Sequence, residues 1–169
     1  MKTILDTYQL NLTIQRLGFE IIERHPDLEK MVLVGIQPRG VFFSDRIAAH
    51  IQSIYPELTL AYGKLDITFY RDDVRKELHT ANKTDMPFSI EQKDVVLIDD
   101  VLYKGRTTRA ALDALMAFGR PAKVELCVLI DRRFTRELPI QPDYCGKAID
   151  SSLSQHVTVE WDKEEVVLH

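Results

Sequence analysis

Two cysteines among 169 residues exclude a disulfide framework, and neither Cys127 nor Cys145 stands at a metal-ligand spacing. Cys127 lies in an apolar run and reads as a small core residue. The five histidines, His25, His50, His79, His156 and His169, form neither a metal nor a triad pattern, and no G-x-S-x-G occurs. No apolar run is long enough to cross a bilayer, and the stretch Met1–Asp6 has no apolar segment of the signal-peptide kind. A cytoplasmic protein with no membrane partner is expected. Neither sign of charge dominates: the net charge is −4 and the pI about 5.7, so there is no bulk electrostatic footprint for DNA or RNA. Any RNA contact has to come from a local patch. Repeats, low-complexity tracts and linkers are also missing, so residues 1–169 read as one domain.

What is present is concentrated in Val95-Val96-Leu97-Ile98-Asp99-Asp100-Val101-Leu102-Tyr103-Lys104-Gly105-Arg106-Thr107-Thr108-Arg109. Four apolar residues in a row predict a strand buried on both faces. Two carboxylates then arrive where that strand should end, which in an open parallel sheet is where ligands bind. Thr107 and Thr108 open an apolar-periodic helix whose first backbone N–H groups are free, and such a start is an anion site. Gly105 allows positive φ or close approach to a phosphate. A ligand with a phosphate at one end and vicinal hydroxyls or bound Mg²⁺ at the other suits this volume. Competing readings are weaker. A Walker-B strand lacks its G-x-x-x-x-G-K-[ST] partner here, a receiver-like acid pocket needs no threonine cradle, and a purely structural Asp pair leaves the cradle unexplained.

The same fifteen residues resemble the phosphoribosyl pyrophosphate (PRPP) signature of type I phosphoribosyltransferases. Asp-Asp-Val-Leu-Tyr-x-Gly-Arg-Thr, with Arg136-Glu137-Leu138-Pro139-Ile140 downstream, is similar to the PyrR family, pyrimidine-operon attenuation regulators that are also uracil phosphoribosyltransferases. The resemblance runs from about Leu33 to Trp161. It implies an α/β fold of the type I phosphoribosyltransferase kind, with a mainly parallel sheet flanked by helices and a small β hood. It also implies uracil and PRPP as substrates with Mg²⁺, UMP or UTP as regulatory ligands, a pyrimidine-gene leader mRNA as partner, and a homodimer or higher homo-oligomer.

Carried over residue by residue, Asp99 and Asp100 hold the ribose hydroxyls and steady positive charge. Val96, Leu97, Ile98 and the run from Val101 to Thr108 (Val101, Leu102, Tyr103, Lys104, Gly105, Arg106, Thr107, Thr108) complete the PRPP site. Arg39 and Gly40 bind pyrophosphate, Asp131, Arg132 and Val159 belong to the base hood, and Arg71 is a candidate charge-stabilising residue. No side chain is expected to bind metal directly. Arg16, Arg24 and Arg136 are the candidate RNA contacts, with ordinary solvated charge as the competing reading for the first two. Three departures from the family's pattern stand out: Pro38 and Lys104 where threonine is common, and a segment from Asp131 to Arg136 that is one residue longer and lacks the usual Gly and His. Two alternatives stay open, a nucleotide-sensing RNA-binding regulator without catalysis and a purine phosphoribosyltransferase.

Along the chain, helical spacing predicts helices over Tyr8–Arg24, Val41–Ile54 and Thr107–Phe118, and apolar runs predict strands over Met31–Ile36 and Val124–Ile130. Leu58–Tyr70 reads as a strand or bent pair, and 143–147 and 157–161 as short strands. The charged, weakly periodic stretch 71–90 reads as a flexible lid over the site, which would keep water from a reactive ribosyl centre.

Overall fold

A computed structural model describes residues 1–72 and 83–169. Strand β1 (Lys2–Leu5) leads into helix α1 (Thr7–Arg24), and Asp6 caps that helix by accepting from the Gln9 amide while the Gln9 side chain returns to the Asp6 amide. Such a reciprocal cap contributes on the order of 1 kcal/mol. Then follow β2 (Met31–Ile36), α2 (Gly40–Ile54), β3 (Ala61–Leu65), a short 3-10 turn at Thr68–Tyr70, β4 (Asp94–Leu102), α3 (Arg106–Met116), β5 (Lys123–Arg133), β6 (Tyr144–Asp150), β7 (Val157–Glu160) and β8 (Glu165–Leu168).

Five strands form one parallel sheet in the order β3-β2-β4-β5-β6. The apolar run of β4 is continuous because both of its faces are covered. Val96 and Ile98 pack with Leu10, Leu17, Ile21, Phe43 and Ile47 of α1 and α2, whereas Val95 and Leu97 pack with Ala110, Ala111 and Leu115 of α3. From β2 the chain winds outward to β3, and from β4 it winds the other way to β5 and β6, so the order reverses between β2 and β4. The crevice at the carboxyl ends of that pair is where such sheets bind ligands.

A second, antiparallel sheet, β1-β8-β7, joins the two ends of the chain. It is the expected hood. Lys147 ties it to the main sheet by donating to the Ile4 carbonyl at 2.9 Å, and Trp161 stacks on Phe43 beneath the Arg46 guanidinium.

Five points differ from the expectations. The strand runs on through Asp99 and Asp100 to Leu102 instead of ending at them, since Asp99 pairs with Val128 and Val101 with Ile130 of β5. Helix α3 stops at Met116, β3 covers only Ala61–Leu65 of the span 58–70, and β1 and β8 had no counterpart in the sequence reading. The far end of the span read as a lid is packed against the sheet and core. Asp85 exchanges both backbone hydrogen bonds with Lys64 at 2.8 Å, Thr84 accepts from the Asp66 amide, Met86 and Phe88 pack on the core and Ile90 is fully buried. The centre of that expected lid, 73–82, lies outside the described residues.

Candidate active site

The carboxyl ends of β2 and β4 bring the two glycine turns of the sequence together. After β2, Gly40 opens α2 so close to β4 that a Cβ there would stand 2.8 Å from the Ile98 carbonyl and 2.9 Å from the Asp99 carboxylate. Only glycine allows that approach, and it places Arg39 beside the acid pair. The Arg39 Nε donates to Asp100 Oδ2 at 3.3 Å, and its Nη2 to the Val159 carbonyl on the hood at 3.3 Å. Arg39 thus spans from the β2 turn to both the carboxylates and the hood.

Asp99 and Asp100 are 7% and 5% exposed. Asp99 Oδ1 accepts from the Asp100 amide at 2.9 Å, and Asp100 Oδ1 from the Val101 amide at 2.8 Å. Burial, with the adjacent Asp100 charge second, pushes the Asp99 carboxyl well above the ordinary carboxylate range. Burial also raises Asp100, with the Arg39 charge opposing. The pair therefore keeps a proton to higher pH than ordinary carboxyls, and can both donate to and accept from vicinal hydroxyls.

Beyond the pair, Arg71, Asp99 and the run Val101–Thr108 line a cavity of about 110 Å³. Gly105 caps α3 at φ +92°, in the left-handed region, so the chain turns from loop to helix with its first amides facing this space. Thr107 is half-buried and Thr108 buried. Lys104 turns its ammonium to Glu137 at 3.1 Å, and Arg106 meets the same carboxylate at 2.8 Å and Asp72 at 2.7 Å. The hydrogen bonds from Arg106 and then Lys104 hold the Glu137 carboxyl below its usual range.

A family model for the phosphoribosyl transferase domain matches residues 1–164. Enterococcus faecalis has a relative named bifunctional protein pyrR that is 44% identical over 168 residues, covering 97% of this chain and 92% of its own length. The chain belongs to the PyrR family of phosphoribosyltransferases. A further PyrR protein, from Streptococcus uberis, is 48% identical over 94% of this chain and 89% of its own. Among solved structures, the hypoxanthine phosphoribosyltransferase of Trypanosoma cruzi superposes with a TM-score of 0.74 at 17% identity, covering 99% of this chain and 95% of that one. At that identity the likeness shows the fold alone.

The crevice brings together most of the residues expected from sequence, but not all. Asp99, Arg71 and Val101–Thr108 line the one cavity, and Asp100, Arg39 and Gly40 stand beside Asp99. Val96, Leu97 and Ile98 are fully buried in the sheet and serve as its core. Asp131 and Arg132 are buried and already engaged: Asp131 accepts from Arg136 at 2.6 Å, while Arg132 lies 4.0 Å over the Tyr103 ring and donates to Ser151, Ser152 and Gln155. Arg16 and Arg24 are exposed on α1, yet Arg16 donates to Glu20 and the Gly146 carbonyl, and Arg24 covers the Tyr144 ring. Glu137 and Thr135, not chosen from the sequence, are the additional residues that touch the loop's supports. The signal for Glu137 was the run Arg136–Ile140, assigned there to recognition instead of architecture; Thr135 lies just outside it.

Mg²⁺ fits this donor set as an ion that arrives with its substrate. No group of three or more His, Cys, Asp or Glu among the described residues could hold a metal alone. Mg²⁺ commonly keeps several waters and binds through substrate phosphates, so the ion would be held on the substrate's phosphates, with the Asp99–Asp100 pair near it.

Proposed function

We propose that this protein transfers the phosphoribosyl group of PRPP to uracil, giving UMP and pyrophosphate, and that its nucleotide-bound state regulates pyrimidine-gene RNA. The observation that carries the transferase half is a glycine-turned loop and helix start, Lys104–Thr108, next to a buried carboxylate pair in one crevice. Membership of the PyrR family carries the choice of uracil and the regulatory half.

In the reaction, the bond from C1′ to the pyrophosphate oxygen breaks with its electron pair leaving on the pyrophosphate. A uracil ring nitrogen supplies the pair for the new C1′–N bond, and its proton passes to solvent water. Loop amides and the hydroxyls of Thr107 and Thr108 hold the 5′-phosphate, so the ribose enters with one end fixed. The Asp99–Asp100 pair holds the ribose hydroxyls and puts negative charge beside the ring as positive charge develops, the form of stabilisation that costs no reorganisation during the step. Arg39 meets the departing pyrophosphate, and Mg²⁺ bound to those phosphates would neutralise further charge on them. The hood, with Val159 facing Arg39, closes over the base.

The test is product formation from PRPP and Mg²⁺ with uracil, hypoxanthine or guanine offered in parallel. UMP as the dominant product is expected. IMP or GMP instead would overturn the choice of base, and no product from any base, with UMP still bound, would favour a regulator without catalysis. For the regulatory half, affinity for a pyrimidine-gene leader transcript is expected to rise with UMP present and to fall as salt is raised, because local arginines must displace counterions. Affinity indifferent to UMP would remove that half.

A further inference from the structure

The loop that cradles the phosphate is held from behind by a segment thirty residues further along the chain. The Tyr103 carbonyl accepts two side-chain donors, Arg136 Nη1 at 2.7 Å and Thr135 Oγ1 at 3.1 Å. The next carbonyl, Lys104, accepts the amides of Glu137 at 2.9 Å and Leu138 at 3.3 Å. Arg136 is itself fixed at both remaining nitrogens, by the Ile140 carbonyl at 2.8 Å and Asp131 Oδ1 at 2.6 Å, and its side chain is only 14% exposed. None of residues 131–140 lines the phosphate cavity, so all four bonds pull the two carbonyls away from it.

A trans peptide is planar, with its C=O and the following N–H pointing in opposite directions. Turning the Tyr103 carbonyl outward aims the Lys104 N–H inward, and turning the Lys104 carbonyl outward aims the Gly105 N–H inward. Successive inward N–H groups of this kind make an anion-binding concavity. Among the described residues, neither of these amides donates to a protein acceptor.

Building on the transferase reading above, we propose that Arg136, seconded by Thr135, is a positioning residue that sets the two peptide planes of the phosphate loop and thereby the affinity for the ligand's 5′-phosphate. Arg136 does not touch the ligand. Its guanidinium suits the task because a rigid fork serves three acceptors at once, Tyr103, Ile140 and Asp131. A lysine carries its three donors on one nitrogen and does not present them along such a fork.

The proposal separates phosphate affinity from everything else the site binds, so the probes are UMP and uridine, which differ only by that phosphate. In Arg136→Met, which keeps an aliphatic stem against Gly105, the Kd for UMP is expected to rise about tenfold, the scale of one charge-assisted hydrogen bond, while that for uridine stays within about twofold. Thr135→Val removes one hydroxyl from the same carbonyl. It keeps the question answerable if the arginine variant folds poorly, and is expected to weaken UMP about threefold, again sparing uridine. A general loosening of the fold would weaken both ligands together, and that result, or an unchanged preference for UMP over uridine in both variants, overturns the positioning role. Wild-type protein with no preference for UMP over uridine would overturn the transferase reading and the inference with it.

Discussion

Replacing both Asp99 and Asp100 by asparagine is expected to lower phosphoribosyl transfer by at least ~10³-fold, the scale seen when a preorganised electrostatic contact to a transition state is lost, here from two sites at once. Folding should not suffer. Asparagine keeps an Oδ1 acceptor for the Asp100 and Val101 amides, and Arg39, whose side chain is 57% exposed, can return to water when Asp100 Oδ2 is gone. The native pair is a burden on stability. Both carboxyls are raised in the folded protein by burial, Asp99 also by its neighbour's charge, so the folded state binds protons that the unfolded chain has already released. Stability therefore falls as pH rises from the ordinary carboxylate range near ~4 through the raised folded values, and the loss is complete above them. The double variant lacks that slope. Thermal midpoints measured across pH should coincide with wild type at the acid end and lie higher towards neutral, by about 2–4 °C for each ~1 kcal/mol relieved in a chain of this size. A variant that is both inactive and less stable at neutral pH would point to a structural role instead.

Gly105→Ala should damage the other half of the site. At φ +92° an alanine Cβ is strained by about 1–2 kcal/mol, and here it also meets Ile140 Cγ1 at 3.0 Å and Ile140 Cβ at 3.2 Å. Neither neighbour yields cheaply, because Ile140's carbonyl anchors Arg136 and its side chain packs against the α3 side of the core. Relief comes by turning the loop's peptide planes, which takes the amides off the phosphate. The expected result is a half-saturating PRPP concentration raised at least about tenfold, with a modest fall in thermal midpoint. Unchanged PRPP dependence alongside the same fall in stability would show that the loop's amides do not carry the phosphate.

The parts of this fold that were legible in the sequence are those whose partners are close by or whose burial is complete. Met31–Ile36 and the apolar run before Asp99 announced themselves because both faces are covered by helices, which leaves no polar alternation. Strands β1 and β8 did not, for they are four residues each and gain their hydrogen bonds only from each other and β7, across the whole length of the chain. The packing of 86–90, read with the lid from the sequence, had a signal of its own. Met86, Phe88 and Ile90 recur at every second position, the pattern of a segment laid along a strand edge, but the surrounding charge masked it. Arg136 shows the deeper limit. A cation in a turn looks like a surface contact until its three acceptors, two of them backbone carbonyls and one more than thirty residues earlier, are known.

The measurement that bears most directly on the whole account is a crystal structure of the protein with UMP. The 5′-phosphate is expected within hydrogen-bonding distance of the Lys104–Thr108 amides, the ribose hydroxyls at Asp99 and Asp100, and the uracil beneath the hood at Val159. A phosphate seated elsewhere, for instance in the second cavity behind α3 lined by Leu112, Leu126 and Ile140, would contradict it.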